Sequence, residues 1–214
     1  ASSAASDVYK RQKENIPPEG RFIFASNHPL GALDGVALIR FFGHFYSGKI
    51  KFLVNDLLMH IKPLAPVFLP INKYGSQAKE SSLQINNAYE SDEQMLIFPA
   101  GLCSRLQHGK IKDLEWKKTF IAKAVQSQRD IIPIYFEGRN STFFYRFAQI
   151  RKCIGLKFNI ELIYLPDEMF NSKNKTFDIY IGKPIPWQTF DKSKSLQEWA
   201  QIVKEKVYQI KKNQ

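Results

Sequence analysis

The sequence predicts a single α/β domain in which helices flank a mainly parallel central sheet. Short apolar runs alternate with amphipathic segments along the chain, as in folds built from repeated strand and helix units. The 214 residues are 44% hydrophobic, which is enough for one domain with a substantial core. No internal repeat or low-complexity linker divides them.

The strands are predicted where a short apolar run is bounded by turn residues. They cover residues 21–26, 50–54, 67–71, 94–98, 131–136, 158–165 and 177–181. Helices are predicted between the strands, where apolar residues recur at helical spacing. They cover residues 34–46, 76–91, 114–128, 140–154 and 195–211.

The two ends of the chain differ in character. Residues 1–12 are small, polar and unpatterned, so we expect a foreign or disordered leader, with the natural N-terminus lost. Residues 13–214 are expected to form the domain. Its last helix, residues 195–211, is amphipathic and either covers the core or lies on a membrane surface.

Charge and cysteine content narrow the function classes. The formal net charge of +11 indicates an anionic partner, which is nucleic acid, an anionic membrane surface or an acidic carrier protein. Cys103 and Cys153 show no metal-binding or redox spacing and are expected to be free thiols in a reducing compartment. The chain has no run of 18 apolar residues, so no membrane-spanning helix is predicted.

A histidine and a carboxylate follow the first predicted strand. Residues 27–35 read Asn-His-Pro-Leu-Gly-Ala-Leu-Asp-Gly. If Asp34 accepts the Nδ1 proton of His28, it fixes the tautomer and leaves Nε2 free to act as a general base, with no serine or cysteine needed. Gly31 and Gly35 permit a tight turn, and the helix start offers N–H groups to a developing oxyanion. This is a suitable place for acyl transfer.

Three segments in register resemble the glycerolipid acyltransferases typified by lysophosphatidic acid acyltransferase. Residues 27–35 resemble the family's histidine motif. Residues 96–105, Leu-Ile-Phe-Pro-Ala-Gly-Leu-Cys-Ser-Arg, resemble its Phe-Pro-Glu-Gly-Thr-Arg-Ser motif, and residues 131–136 resemble its Val-Pro-Val strand. The resemblance implies that His28 and Asp34 are catalytic and that an acyl thioester reacts directly with a lyso-lipid hydroxyl. It implies no metal and no cofactor, with acyl carrier protein or coenzyme A delivering the acyl group as co-substrate.

The spacing of the histidine motif differs from the family pattern. Five residues separate His28 from Asp34, where the family has four. One added helical position rotates a side chain by about 100°. Either the glycine-containing turn absorbs this rotation, or Asp34 is only a helix N-cap. The alternative role for His28 is that of a structural histidine in the turn.

The resemblance also implies an acceptor-binding wall around the second motif and beside the histidine. The residues expected in this wall are Asn27, Gly31, Lys73, Pro99, Ala100, Gly101, Leu102, Ser104 and Arg105. Gly101 and Leu102 would bring backbone N–H groups to the acceptor. Arg105 and Lys73 would supply basic contacts to a carboxylate head group, because arginine presents a bidentate fork that fits one.

Departures from the family pattern bear on the acceptor. Ala100 and Cys103 replace the motif glutamate and arginine, which in the family help to hold a phosphate-bearing acceptor. Asn55 and Asn72 stand where basic residues are common. These losses of charge argue against a plain phosphomonoester. The most similar branch, from Bacteroidetes-like bacteria and often labelled hemolysin, acylates the hydroxyl of an N-acylated amino acid, as in lyso-glycine or lyso-ornithine lipid.

Two surface features point to partners. A set of basic residues suits docking of an acidic acyl carrier protein: Arg105, Lys110, Lys112, Lys117, Lys118 and Lys123. The aromatic residues 143–147 suggest an acyl-chain tunnel or a membrane-facing patch. We therefore expect a lyso-lipid acceptor, an acyl donor and an anionic membrane surface as partners, with the protein peripheral on the cytoplasmic side.

Other functions stay open at this point. Inside the family, the alternatives are a lysophosphatidic acid acyltransferase of phospholipid synthesis and a non-catalytic lipid-binding homologue. A nucleic-acid-binding module is disfavoured because the basic residues are dispersed and no recognised reading motif occurs, so we expect no nucleic acid partner. A hydrolase that uses His28 is disfavoured because the chain lacks a Gly-x-Ser-x-Gly elbow.

Overall fold

The computed structural model describes residues 8–54, 62–71, 76–156, 159–172 and 175–213. Its strands are β1 (Val8–Arg11), β2 (Phe22–Ser26), β3 (Ile50–Val54), β4 (Phe68–Pro70), β5 (Gln94–Ile97), β6 (Arg105–Gln107), β7 (Lys110–Lys112), β8 (Asp130–Phe136) and β9 (Phe177–Ile181). Its α-helices are α1 (Leu33–Phe45), α2 (Ser76–Glu90), α3 (Thr119–Ser127), α4 (Thr142–Cys153), α5 (Leu165–Phe170) and α6 (Leu196–Ile210). Short 3-10 helices cover Lys13–Asn15, Lys62–Val67, Ile160–Tyr164, Trp187–Thr189 and Lys211–Asn213.

Seven strands form the central sheet in the order β1-β9-β8-β2-β5-β3-β4. Neighbouring strands are parallel except β8 and β9, which run antiparallel. β6 and β7 form a separate antiparallel hairpin. The sheet is therefore mainly parallel, as predicted, and β8, β2 and β5 lie side by side at its centre. Ligands of such sheets bind outside the carboxyl ends of the strands.

Alternate residues of β2 face opposite sides of the sheet. Phe22 and Phe24 join an apolar cluster with Phe42 of α1. Ile23 and Ala25 join a second cluster, to which α2, α3 and α6 contribute. Because central parallel strands are covered on both faces, β2 is apolar from Phe22 to Ala25 instead of alternating with polar residues. The predicted α/β class, with a sheet flanked by helices, is confirmed.

The C-terminal helix α6 covers the core. Ser195 precedes it and accepts the N–H of Glu198, whose carboxylate accepts the N–H of Ser195 in return. This reciprocal capping explains why the helix begins there. Ala200, Val203 and Val207 are buried in the second apolar cluster. Of the two alternatives for this helix, the structure therefore supports packing on the core.

The strand predicted for residues 158–165 is wrong in its described part. Ile160–Tyr164 forms a 3-10 helix that continues into α5. Its Glu161 is fully buried and pairs with Arg105 and Arg151, each at 2.8 Å. The segment packs against α4, so its apolar residues are buried without joining the sheet. The predicted third helix is also shorter than expected, since α3 begins at Thr119.

Three short strands were missed. β1 lies inside residues 1–12 and pairs in parallel with β9, and the expectation that residues 1–12 are a foreign or disordered leader stays a prediction. The β6–β7 hairpin turns through His108 and Gly109, which have φ values of +47° and +75°. With three or four residues each, these strands are too short to show a periodic pattern.

Among the helices of the described residues, none combines the length and the apolar character that crossing a membrane requires.

Candidate active site

His28, in the loop after β2, lies beside Asp34 in the first turn of α1. The Nδ1 atom of His28 is 3.0 Å from Oδ2 of Asp34, whose side chain is fully buried. The chain turns at Gly31, where φ is +82°, and α1 begins at Leu33. A φ of this kind is easily adopted by glycine. The turn therefore absorbs the additional residue of the motif, and the carboxylate points back to the imidazole.

The Asp34 carboxylate also organises the backbone of the loop. It accepts N–H hydrogen bonds from Leu30 at 2.9 Å, Gly31 at 3.4 Å and Gly35 at 2.9 Å. The N-cap of α1 is Ala32, so the alternative in which Asp34 serves only as an N-cap is wrong. These three N–H groups bond to the carboxylate and are not free for an oxyanion, and the expectation that the start of α1 offers N–H groups to one stays a prediction.

Phe98 packs against the face of the His28 imidazole. Its ring stacks on His28, with ring centroids 3.8 Å apart and planes 16° apart. Phe52 of β3 packs edge-on against Phe98 at 5.3 Å. Since Nδ1 faces a carboxylate, the neutral imidazole carries its proton there, and Nε2 is the nitrogen that can accept a substrate proton. The ring is thus held by residues that follow β2 and β5, at the carboxyl ends of adjacent strands.

Asp113 anchors the histidine loop and was missed by sequence analysis. Its buried carboxylate accepts the backbone N–H of His28 at 3.1 Å, the hydroxyl of Ser104 at 2.6 Å and the indole N–H of Trp116 at 2.9 Å. Burial raises the pKa of the Asp113 carboxyl above its ordinary value, and these hydrogen bonds oppose that rise. Trp116 was a usable signal, because a buried indole N–H needs an acceptor.

Asn27 connects the histidine loop to β8. Its side-chain amide donates to the carbonyl of Phe136 at 2.9 Å and accepts the N–H of the same residue at 2.6 Å. Asn27 is buried, and both groups of its amide are used by the backbone of β8. Asn27 therefore fixes the histidine loop to the sheet, and its contact with the acceptor stays a prediction.

The second motif forms a tight turn after β5. Gly101 has a φ of +70° and donates its N–H to the carbonyl of Phe98 at 2.9 Å, while Pro99 and Ala100 are buried. The backbone N–H of Lys117 donates to Pro99 at 3.0 Å. A Cβ at Gly101 would lie 2.8 Å from the Lys117 ammonium. The exposed Lys117 therefore places a cation against this turn. Sequence analysis assigned Lys117 only to the basic residues that suit acyl carrier protein and did not predict this position.

Gly31 is packed from both sides. A Cβ there would lie 2.9 Å from the side chain of Leu165 and 3.2 Å from Cβ of Cys103. Leu102 is half-buried next to Cys103. Burial raises the pKa of the Cys103 thiol. The second motif and α5 thus close around the histidine loop at a place where any side chain larger than hydrogen would clash.

Two expected acceptor contacts point into the protein. Ser104 is buried and donates its hydroxyl to Asp113. Arg105 places Nη2 2.8 Å from Oε1 of Glu161, which also pairs with Arg151. Ser104 and Arg105 use these donors internally, and their contact with the acceptor stays a prediction.

Other predicted positions have different outcomes. Lys73, Asn55 and Asn72 lie outside the described residues, so what was expected of them stays a prediction. Of the basic set, four lysines are exposed: Lys110, Lys112, Lys117 and Lys118. Cys103 and Cys153 are both free thiols, as expected.

The sheet and the histidine–aspartate pair at its central carboxyl edge define an acyl-transfer domain. A family profile described as Acyltransferase matches residues 6–214. The chain belongs to this acyltransferase family. The family prediction made from the three motifs is confirmed, and the protein is an acyltransferase.

Two relatives are similar over most of the chain. A lyso-glycine lipid O-acyltransferase from Bacteroides thetaiotaomicron (strain ATCC 29148 / VPI-5482) is 57% identical over 197 residues, which are 92% of this chain and 72% of that protein. The protein of the same name from Phocaeicola vulgatus (strain ATCC 8482) is 54% identical over 197 residues, covering 92% and 71%. Both relatives are bacterial, and their name agrees with the predicted branch.

A solved structure shares the fold. The crystal structure of the 1-acyl-sn-glycerophosphate (LPA) acyltransferase PlsC from Thermotoga maritima aligns with a TM-score of 0.58. The alignment covers 96% of this chain and 73% of that one, at 19% identity. At this identity the similarity supports the architecture alone.

Proposed function

We propose that the protein transfers a fatty acyl group from an acyl thioester to the hydroxyl of a lyso-lipid, with His28 as general base. The observation that carries this proposal is the 3.0 Å contact between His28 Nδ1 and the buried Asp34 carboxylate. It leaves Nε2 as the basic atom at the carboxyl edge of the central strands. Phe98 and the Asp34 hydrogen bonds keep the ring in one orientation.

The reaction follows from this geometry. Nε2 of His28 takes the proton of the acceptor hydroxyl as its oxygen attacks the thioester carbonyl. Asp34 stabilises the imidazolium that forms. When the tetrahedral intermediate collapses, the C–S bond breaks and the imidazolium returns its proton to the leaving thiolate. The acyl group passes directly between the two substrates, and the proposal includes no acyl-enzyme, cofactor or metal.

We infer that the acceptor head group is a carboxylate, as in lyso-glycine or lyso-ornithine lipid. Ala100 and Cys103 bring no charge to the motif turn, and Arg105 is held by the buried Glu161. The Lys117 ammonium lies exposed against the turn and can pair with one carboxylate. The two relatives named lyso-glycine lipid O-acyltransferase support this class of acceptor.

The donor is expected to be acyl carrier protein or acyl-coenzyme A. Both are anionic, and the β6–β7 hairpin exposes Lys110 and Lys112 near the second motif. We place the reaction at the cytoplasmic side of the membrane, where the protein binds peripherally. The lyso-lipid acceptor is the reason for this placement.

The test is acyl transfer by the wild-type protein and a His28→Ala variant. Each would be assayed with acyl carrier protein and coenzyme A thioesters, and with lyso-glycine lipid, lyso-ornithine lipid and lysophosphatidic acid as acceptors. We expect product with an amino-acid lipid and a rate at least ~10³-fold lower in the variant.

Each alternative has its own signature in this assay. Product with lysophosphatidic acid alone would keep the mechanism and overturn the carboxylate assignment. A folded His28→Ala variant with the wild-type rate would overturn the general base. Lipid binding without any transfer would identify a non-catalytic homologue.

A further inference from the structure

Helix α4 has apolar residues on a buried side and on an exposed side. Phe144 and Ala148 are buried against the protein. Phe143, Ile150 and Ile154 recur at spacings of seven and four, which places them in one stripe on the other side. These three side chains are 54%, 58% and 66% exposed.

The neighbouring 3-10 helix widens this stripe. Tyr164 packs edge-on against Phe143 and Phe147, with ring centroids 5.3 and 5.5 Å apart. Phe143 and Phe147 stack at 5.8 Å. Ile163, next to Tyr164, is 75% exposed. We name the set Phe143, Phe147, Ile150, Ile154 and Ile163 the α4 patch. Exposed apolar groups of this size mark an interaction surface.

The α4 patch lies on the active-site side of the molecule. α4 follows the carboxyl end of β8, and β8 is a neighbour of β2 in the sheet. Asn140, just before the helix, donates to the carbonyl of Leu30 in the histidine loop at 3.5 Å. Leu165, which directly follows the 3-10 helix, packs against Gly31. The elements that carry the patch are therefore the ones that close around the histidine motif.

The charges around the α4 patch are mostly basic. Arg139 and Arg146 are exposed beside it. Glu161 and Glu168 are buried, with Glu161 paired to arginines and Glu168 bonded to Ser141. Among the described residues of 139–170, only Asp167 adds an exposed carboxylate. An apolar surface with a basic border is complementary to an anionic lipid surface.

We propose that the α4 patch inserts shallowly into an anionic lipid leaflet and so presents the histidine loop to the acceptor. The choice of lipid as occupant rests on the proposed function, because a lyso-lipid is taken from a membrane. Interfacial binding of this kind grows with the apolar area inserted and with the attraction between basic side chains and anionic lipid. Both contributions can be removed separately by substitution.

The apolar contribution is tested with Ile150→Gln/Ile154→Gln/Ile163→Gln. The matched control is Leu83→Gln, which is 61% exposed on α2, a helix packed against β4 and α3. The full chain would be mixed with phosphatidylcholine vesicles with and without phosphatidylglycerol, and the bound fraction measured by flotation. We expect at least ~10-fold weaker vesicle binding for the triple variant and a change within about 2-fold for the control.

The basic contribution is tested with Arg139→Gln/Arg146→Gln. The control, Lys49→Gln/Lys183→Gln, removes the same charge at the opposite edge of the sheet, where β3 begins and β9 ends. We expect the arginine variant to bind phosphatidylglycerol vesicles about 5-fold more weakly per arginine, with little change on pure phosphatidylcholine. Equal losses in both double variants would show that net charge acts instead of the patch border.

The outcomes separate this inference from the proposed function. Wild-type vesicle affinity in the folded triple variant would overturn the inference. So would unchanged vesicle binding with lost affinity for acyl carrier protein, or conversion of a wild-type dimer to a monomer, since these assign the patch to another partner. With a short-chain, water-soluble acceptor the triple variant should keep the wild-type kcat. His28→Ala should lose all transfer and keep vesicle binding, so failure of the catalytic proposal is seen independently.

Discussion

Asp34 performs two tasks with one carboxylate. Oδ2 contacts His28, and the same side chain accepts N–H groups from Leu30 and Gly35. The loop and the imidazole are therefore positioned by one buried group. A carboxylate with this many donors around it has little freedom to rotate, so the orientation of the base is set before substrate binds.

Asp34→Asn should separate orientation from charge. The amide keeps the size of the side chain, but an NH₂ group facing Nδ1 would favour the tautomer with the proton on Nε2, which cannot act as a base. We expect kcat to fall ~10³-fold or more, as for tautomer loss in catalytic triads, with the acceptor KM changed by less than about 5-fold. The NH₂ group would also meet the N–H of Leu30 and destabilise the fold by about 1–3 kcal/mol.

The measurement for Asp34→Asn is steady-state kinetics together with thermal unfolding. Asp92→Asn, an exposed position, is the matched control and should leave both unchanged. A wild-type kcat in folded Asp34→Asn would mean that the imidazole does not act as the base.

Lys117→Met should weaken binding of a carboxylate-bearing acceptor. The substitution keeps a long apolar side chain and removes the ammonium beside Gly101. Loss of a charge-assisted hydrogen bond should raise the KM for lyso-glycine lipid about 10-fold, with a smaller effect on kcat. Lys118→Met removes the neighbouring exposed charge and should leave the acceptor KM within about 2-fold. Equal effects of the two substitutions would point to general electrostatics instead of a specific contact.

The two cysteines should differ sharply in reactivity. Cys153 is exposed, whereas Cys103 is buried and its thiol pKa is raised by that burial. Because the thiolate is the reactive form, iodoacetamide at pH 8 should modify Cys153 at least ~10-fold faster than Cys103 in the folded protein. Peptide mass spectrometry measures both rates, and unfolding in urea should equalise them. Fast modification of Cys103 in the folded state would contradict its position behind the histidine loop.

Helix α6 connects the core to the catalytic loop. Tyr208 accepts the backbone N–H of Asp113 at 2.8 Å, and Lys204 donates to the carbonyl of Asp113 at 2.9 Å. Asp113 in turn accepts the N–H of His28. The position of the base therefore depends on an element about 180 residues away along the chain, through a polar chain of contacts rather than through apolar packing.

Tyr208→Phe tests this connection. It leaves the buried N–H of Asp113 without its acceptor, so we expect about 1–3 kcal/mol of destabilisation. Because the loop that carries His28 loses support, kcat should fall several-fold while the substrate KM values change little. Tyr180→Phe, which removes a hydroxyl bonded to Glu137, is the control. Destabilisation of Tyr208→Phe without any change in kcat would limit α6 to a structural role.

Local sequence signals predicted the elements but not all of their partners. Strand β2 was predicted within a residue because a short apolar run follows a turn-rich segment, and helix α1 because its apolar residues recur at helical spacing. The run at residues 158–165 begins with alternating apolar and polar residues, as a strand does, yet its described part is a 3-10 helix whose buried Glu161 pairs with two arginines from other elements. Charge pairs between residues distant in sequence cannot be read from a single chain segment.

The same distinction explains the site. The His28–Asp34 pair was predictable because its members are six positions apart and the turn between them contains glycine. The internal use of Ser104 and Arg105 was not, because their partners Asp113 and Glu161 come from a loop and a helix with no motif of their own. Motifs indicated which residues surround the reaction, and the structure shows which of their polar groups already bond to neighbouring residues.

Across the molecule, one buried arginine joins elements at the edge of the sheet opposite the active site. Arg129 donates to the backbone carbonyls of Tyr89 at 2.9 Å, Glu93 at 2.7 Å and Ser91 at 2.5 Å, which lie in the last turn of α2 and in the loop before β5. It also donates to Ala88 at 3.2 Å. Burial lowers the pKa of the Arg129 guanidinium to about 10, so it stays charged at neutral pH. Its planar fork matches several carbonyls at once.

Arg129→Lys should therefore be a stability variant and not an activity variant. A lysine side chain is shorter than an arginine side chain, and its ammonium has three donors instead of five. Some of the buried carbonyls that Arg129 binds would therefore lose their hydrogen-bond partner, at a cost of about 3 kcal/mol or more. For a domain of this size that corresponds to a Tm lower by about 6–12 °C. Arg40→Lys, at an exposed position of α1, is the control and should change Tm by about 1 °C. Since β8 begins at this edge and His28 lies at the opposite one, kcat at 25 °C should stay within about 2-fold of the wild type. A loss of kcat with an unchanged Tm would contradict this prediction, because it would show that a change at Arg129 affects His28 at the opposite edge of the sheet.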